Sequence, residues 1–118
     1  MTDNNKTIKF EIPSVKDYSR ILRLAAAGAA DTCGFDVDMI EDVKVIVSEV
    51  FGSIIEAGEK SAHMSFLPEA GRLTVEIFTC SGKPVLDGAN EMTLPILQAL
   101  AGSVDEIEKG GLRLVMER

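Results

Sequence analysis

The stretch IVSEVFGSIIEAG (46–58) places an acid, Glu49, and a hydroxyl, Ser53, four residues apart in an otherwise apolar run. On a helix, positions i and i+4 share a face with β-carbons about 5 to 6 Å apart, so a carboxylate and a hydroxyl would stand side by side. Such a pair is an active site, the remains of one, or an ordinary solvated face. Taken alone, one acid on a wet helical face is most often just solvated, and no lysine or histidine lies within four residues of Glu49 to tune it. A second set has the opposite sign. Lys16, Arg20 and Arg23 fall at i, i+4 and i+7, a cationic stripe along about two helical turns that can orient an acidic partner.

The chain of 118 residues is 46% hydrophobic and 26% charged, which fits one globular domain over 1–118. Its net charge of -7 argues against a nucleic-acid backbone or an anionic membrane as partner, since both require a basic surface. No basic start followed by an apolar run is present, and the longest uncharged run, Met92 to Val104, is short and contains Pro95, so a cytoplasmic protein is expected. Cys33 and Cys80 lack CxxC spacing and His63 is the only histidine, so no metal site is expected and the two thiols should be reduced. His63 reads as a sheet residue, and Met39, Met64, Met92 and Met116 read as core gap-fillers.

These candidates need elements to hold them. IKFEI (8–12) alternates apolar and charged residues, the period-2 mark of a half-buried strand, and Pro13 ends it. Ser14 and Asp17 have capping-box spacing and open a first helix whose apolar side is Val15, Tyr18, Leu22, Ala25 and Ala29, with Lys16, Arg20 and Arg23 opposite, until Gly34. Asp38 and Glu41 repeat the spacing at the start of a long second helix ending near Gly58. Its buried stripe is Ile40, Val43, Val47, Val50 and Ile54, and Asp38, Asp42, Glu49, Ser53 and Glu56 form one polar face. Two strands, 61–67 and 72–78, join through PEAG. SGKPVLDGAN (81–90) is a loop, a short helix runs over 94–101, and VDEIEKGGLRLVMER closes as a hairpin. The order β-α-α-β-β-α-β-β predicts an α+β two-layer sandwich, a mostly antiparallel sheet with helices on one face.

IPSVKDYSRILRL, followed by DMIEDVKVIVSEVFGSIIEAG, resembles the start of the anti-sigma-factor serine kinases of Gram-positive stress and sporulation circuits, members of the histidine-kinase-like (GHKL) ATPase superfamily. The element order is similar throughout, most strongly over 8–58. The resemblance implies a general-base role for Glu49 and puts Ser53 where relatives carry a magnesium-binding asparagine. Serine is too short to replace that amide simply, because magnesium demands near-octahedral geometry at about 2.0–2.1 Å. After the central strand, where the family has an Asp-x-Gly that recognises adenine, this chain has FTCSGKP, with Thr79 or Cys80 in place of the aspartate. About fifteen residues (79–93) stand in place of a long lid, and GANEMTLPIL holds no phosphate-loop glycine pair; an alternative alignment puts Gly110 and Gly111 there.

The resemblance therefore implies a degenerate member, a regulatory protein-binding module with vestigial Glu49 and Ser53, for which no cofactor is expected. Its partner would be a sigma factor or an anti-sigma antagonist, with Lys16, Arg20 and Arg23 as interface. The alternative is an active serine kinase using ATP and magnesium on an anti-sigma antagonist. A third reading is a subunit that homodimerises through its first strand and helix, since a short exposed edge strand can pair edge to edge.

Overall fold

The computed structural model describes residues 6–118. Its elements run β1 (Ile8–Pro13), α1 (Ser19–Thr32), α2 (Val37–Glu56), β2 (Ser61–Glu69), β3 (Arg72–Thr79), α3 (Thr93–Leu100), β4 (Ser103–Glu106) and β5 (Leu112–Glu117), with 3-10 turns at Lys16–Tyr18 and Glu108–Gly110. The strands form one five-stranded sheet, order β1-β2-β3-β5-β4, and every neighbouring pair is antiparallel. The architecture is the α+β two-layer sandwich expected from the sequence. Because β5 is a full sheet strand after Gly110 and Gly111, the alternative alignment that made those glycines a phosphate loop is incompatible with the fold.

Period-2 alternation decides which side of the sheet is covered. Ala62, Met64 and Phe66 of β2, Leu73, Val75 and Ile77 of β3, and Leu112, Leu114 and Met116 of β5 are buried. They meet Leu22, Ala26 and Ala30 of α1 and Val43, Ile46, Val47, Val50, Phe51 and Ile54 of α2 in one core. Each fully buried Leu, Ile or Phe contributes about 1.5–3 kcal/mol. On the opposite face His63 is exposed, as expected of a sheet residue, with its Nε2 3.8 Å from the Glu11 carboxylate, and Arg113 pairs with Glu76 at 2.7 Å. Met64 and Met116 fill the core, and Met39 packs against it, but Met92 is 58% exposed in the loop before α3.

Three local expectations are corrected. The Ser14–Asp17 capping box does not form: the Ser14 hydroxyl has no partner, a 3-10 turn intervenes, and α1 starts at Ser19. Val15 and Tyr18 are consequently exposed, as is Ala25, and the face of α1 that packs is Leu22, Ala26, Ala29 and Ala30. In α2 the cap is Asp36 rather than Asp38, its carboxylate accepting the Met39 N–H at 2.9 Å. Asp36 and Asp38 are both N-cap residue types, and the backbone decides between them: Asp36 is extended (φ -76°, ψ 176°), as an N-cap must be.

Candidate functional site

The long helix presents Glu49 and Ser53 as its period requires, but in different surroundings. Glu49 is half-buried and borders a depression of about 350 Å3 shared with Arg23, Glu41, Lys44, Val45 and Ser48, where α2 runs beside α1. Ser53 is only 4% exposed, which corrects its assignment to the wet face. Its hydroxyl donates to the Val85 carbonyl at 3.1 Å, a hydrogen bond spanning 32 residues of sequence.

That bond is one of several that fold the segment after β3 back onto α2. The buried Thr79 hydroxyl donates to the Lys83 carbonyl at 2.7 Å, which turns the chain at the end of the central strand. Glu59, just beyond α2, accepts from the Ser81 hydroxyl at 2.6 Å and from the Ser81 N–H at 3.3 Å. The Ser81 hydroxyl holds the Glu59 carboxyl below the usual range, assisted by the Ser81 and Cys80 donors and by Lys83. Val85, 2% exposed, is inserted beneath the segment, and its N–H donates to Gly110 at 3.0 Å. Gly88 then lies directly on the last turn of α2: a β-carbon there would collide with the Ser53 carbonyl oxygen and the Ala57 nitrogen. Glycine is required by this backbone-to-backbone approach rather than by an unusual φ.

The cationic residues are brought together, though not on one regular helix. Lys16 belongs to the 3-10 turn and Arg20 and Arg23 to α1, yet all three line a single depression of about 540 Å3 with Asp17, Ser19 and Ile21. Beside it the surface is apolar, with Ile21 58% and Leu24 67% exposed. Arg23 also lines the depression that holds Glu49, so the two hollows adjoin through one side chain. No ion pair within 4.0 Å involves Lys16, Arg20, Arg23 or Glu49 among the described residues. Sequence reasoning missed Val85 and Gly88; their only advance signal was an apolar Val-Leu pair and an Asp-Gly dipeptide within an otherwise polar loop.

Both cysteines are free. Cys33 is buried against the β2–β3 turn, donating to the Arg72 carbonyl at 3.3 Å, and burial pushes its thiol up; Cys80 is exposed. No group of three or more His, Cys, Asp or Glu among the described residues is arranged to hold a metal ion, and no described helix is long and apolar enough to cross a membrane.

Comparison with known proteins gives a partial match. The chain is 37% identical over 60 residues to proteins described as serine-protein kinase RsbW from Bacillus thuringiensis, Bacillus cereus and Bacillus anthracis. The shared stretch covers 51% of this chain and 38% of each relative, so the match spans well under half of the curated proteins. No protein-family model matches. Over about half of its length, the chain is a partial homologue of the serine-protein kinase RsbW.

Proposed function

We propose that this chain is a regulatory protein-binding module of anti-sigma-factor type, a single cytoplasmic domain with a shortened lid and without a working nucleotide site. The observation that carries the reading is the commitment of Ser53. At the position where the resemblance places the metal-binding amide, the side chain is short, buried and bonded to the Val85 carbonyl, beneath a segment seated on the end of α2. Phosphoryl transfer depends almost wholly on positioning the phosphates and neutralising their charge. The Ser53 oxygen keeps its lone pairs, but at 4% exposure, with Val85 and Gly88 packed on this turn of the helix, it is covered where a hydrated magnesium ion and a triphosphate would have to sit. Glu49 then remains as an acid without the metal and phosphates it would serve, and no catalytic step is assigned to it.

The homology to RsbW favours a protein partner, a sigma factor or an anti-sigma antagonist, and Lys16, Arg20 and Arg23, which have no ion pair among the described residues, supply a surface for it. A second copy is a further candidate, because among the described residues β1 is an edge strand of the sheet. The kinase alternative is separated by thermal unfolding with millimolar ATP and magnesium. A ligand at a hundred times its dissociation constant adds about 2.7 kcal/mol, a shift of several degrees for a domain of this size. No shift is expected. A clear upward shift that disappears in Glu49→Ala would overturn the reading and establish the kinase.

A further inference from the structure

The helices cover one face of the sheet, and the register places two cross-strand rows on the other. Lys9 of β1, Ser65 of β2 and Glu76 of β3 stand opposite one another, and Glu11, His63 and Phe78 form the adjoining row. Side chains opposite one another on a sheet face start only about 4.5–5.5 Å apart, so a serine between two long neighbours leaves a trough. Lys9, His63, Ser65, Glu76 and Phe78 line this hollow of about 400 Å3, inside the roughly 300–1,000 Å3 range of small-molecule sites. Its aromatic wall is held in place: Phe78 is half-buried, and its ring lies so close to the Gly111 backbone that a β-carbon there would collide with it. The two acids beside the hollow are already engaged. Glu76 accepts from Arg113 at 2.7 Å, and Glu11 accepts from the Ser61 hydroxyl at 2.8 Å and lies 3.8 Å from His63 Nε2. Lys9, by contrast, has no ion pair within 4.0 Å among the described residues.

We infer that this hollow on the open face of the sheet binds a small aromatic carboxylate, its ring against Phe78 and its carboxylate at Lys9 and Ser65. The ring gains offset or edge packing on a fixed aromatic partner, and the ammonium and the hydroxyl both donate to the carboxylate. A multiply charged anion is disfavoured, because it would also meet Glu11 and Glu76. His63 stands between the two rows. It faces Glu11 directly and Lys9 diagonally on β1, and Phe78 directly and Glu76 diagonally on β3. A histidine changes charge between about pH 5 and 8, where a carboxylate ligand stays ionised, so lowering the pH adds a positive charge beside the ligand and tightens binding. Glu11 shares that charge, which keeps the gain small. The ligand would bridge the edge strand β1 to β2 and β3. The inference goes beyond the proposed regulatory function, and binding or rejection of ATP at α2 leaves it standing.

The test titrates the full chain with 2-naphthoate, with the neutral 2-naphthamide and with acetate, followed by backbone amide shifts. Millimolar naphthoate should shift Lys9, His63, Ser65 and Phe78 saturably, naphthamide should bind about two- to fivefold more weakly, the range of an exposed ion pair, and acetate should give no saturable shift. Lys9→Gln should abolish the preference for the acid over the amide. Lowering the pH from 8 to 6 should tighten naphthoate binding by up to about fivefold in wild type and leave His63→Gln unchanged. Both substitutions are at exposed positions, and unchanged dispersion of the other amides shows that each variant is folded. The inference is overturned if naphthoate gives no saturable shifts at these residues, if the amide binds as tightly as the acid, or if Lys9→Gln leaves the preference in place. It is equally overturned if the pH effect is absent from wild type or survives in His63→Gln, or if sedimentation shows a second copy covering this face and excluding the probe.

Discussion

Ser53 and Glu49 lie one turn apart on α2, and their surroundings are built on opposite principles. At Ser53 a segment from after β3 presses its backbone so closely on the helix that Gly88 leaves no room for a β-carbon, and the serine hydroxyl is bonded to Val85. At Glu49 the helix borders an open groove in which Lys44 pairs with Glu41, whereas Arg23 and Glu49 have no ion pair within 4.0 Å among the described residues. A gap closed by backbone contacts and buried hydrogen bonds is specified for one conformation, because any added atom strains it. An open groove carries no such constraint. Sequence spacing alone makes the two residues look like one site, and only tertiary packing separates them.

The contrast is broken most severely at Gly88. Gly88→Ala places a methyl group against the Ser53 carbonyl and the end of α2, and backbone atoms cannot step aside as a flexible side chain would. Overpacking of this kind costs about 1–3 kcal/mol, so the urea midpoint should fall clearly, with the m-value unchanged if the segment stays docked. Wild-type stability in Gly88→Ala would mean that the segment is not seated on α2. Next in size, Ser53→Ala leaves the Val85 carbonyl without its donor and should cost about 1–2 kcal/mol by the same measurement. A neutral result would show that water takes the place of the hydroxyl and that the segment is loosely held.

Gly28, on the exposed side of α1, is the counter-case. It is helical, and a β-carbon there would meet nothing within 4 Å, so Gly28→Ala should stabilise by about 0.5–1 kcal/mol through helix propensity alone. Loss of stability would expose a contact at α1 that the open surface does not suggest. The smallest effect is electrostatic. The Ser81 hydroxyl, the largest influence, holds the Glu59 carboxyl below its ordinary range. A carboxyl lowered in the folded state contributes stability that is complete above its unfolded value, about 4.3, and is lost as pH falls through the folded one. Glu59 is only partly buried and its hydrogen bonds to Ser81 lie at the surface, so screening keeps this contribution small. Stability curves of wild type and Glu59→Gln should therefore differ at neutral pH and converge in acid, and parallel curves would remove Glu59 from the anchors of the segment.

How much of this was legible in the sequence depends on the range of the interaction. The alternation of IKFEI, the capped and apolar-striped α2 and the turn at PEAG are local patterns, and each matches an observed element to within about two residues. The start of α1 was misjudged because Ser14 and Asp17 satisfy a spacing rule that the intervening 3-10 turn makes irrelevant. Its packed face was misjudged because AAAGAA is apolar or small at every position, so periodicity has no phase to read there. Burial of Ser53 was illegible for a different reason. It is caused by Val85 and Gly88, more than thirty residues away, and nothing within a helix-length window predicts which loop will return to a given turn. The adjoining of the two hollows at Arg23 is likewise tertiary, although the cationic spacing that makes one of them attractive was visible from the start.

The central claim is that the turn of α2 at Ser53 is closed by the chain itself and is not a nucleotide site. Its most direct test is a titration of magnesium-ATP followed at the backbone amides of Ser53, Val85, Gly88 and Glu49. The account predicts that these resonances stay in place up to millimolar nucleotide. Saturable shifts at Ser53, Val85 and Gly88, with the segment displaced from α2, would contradict it.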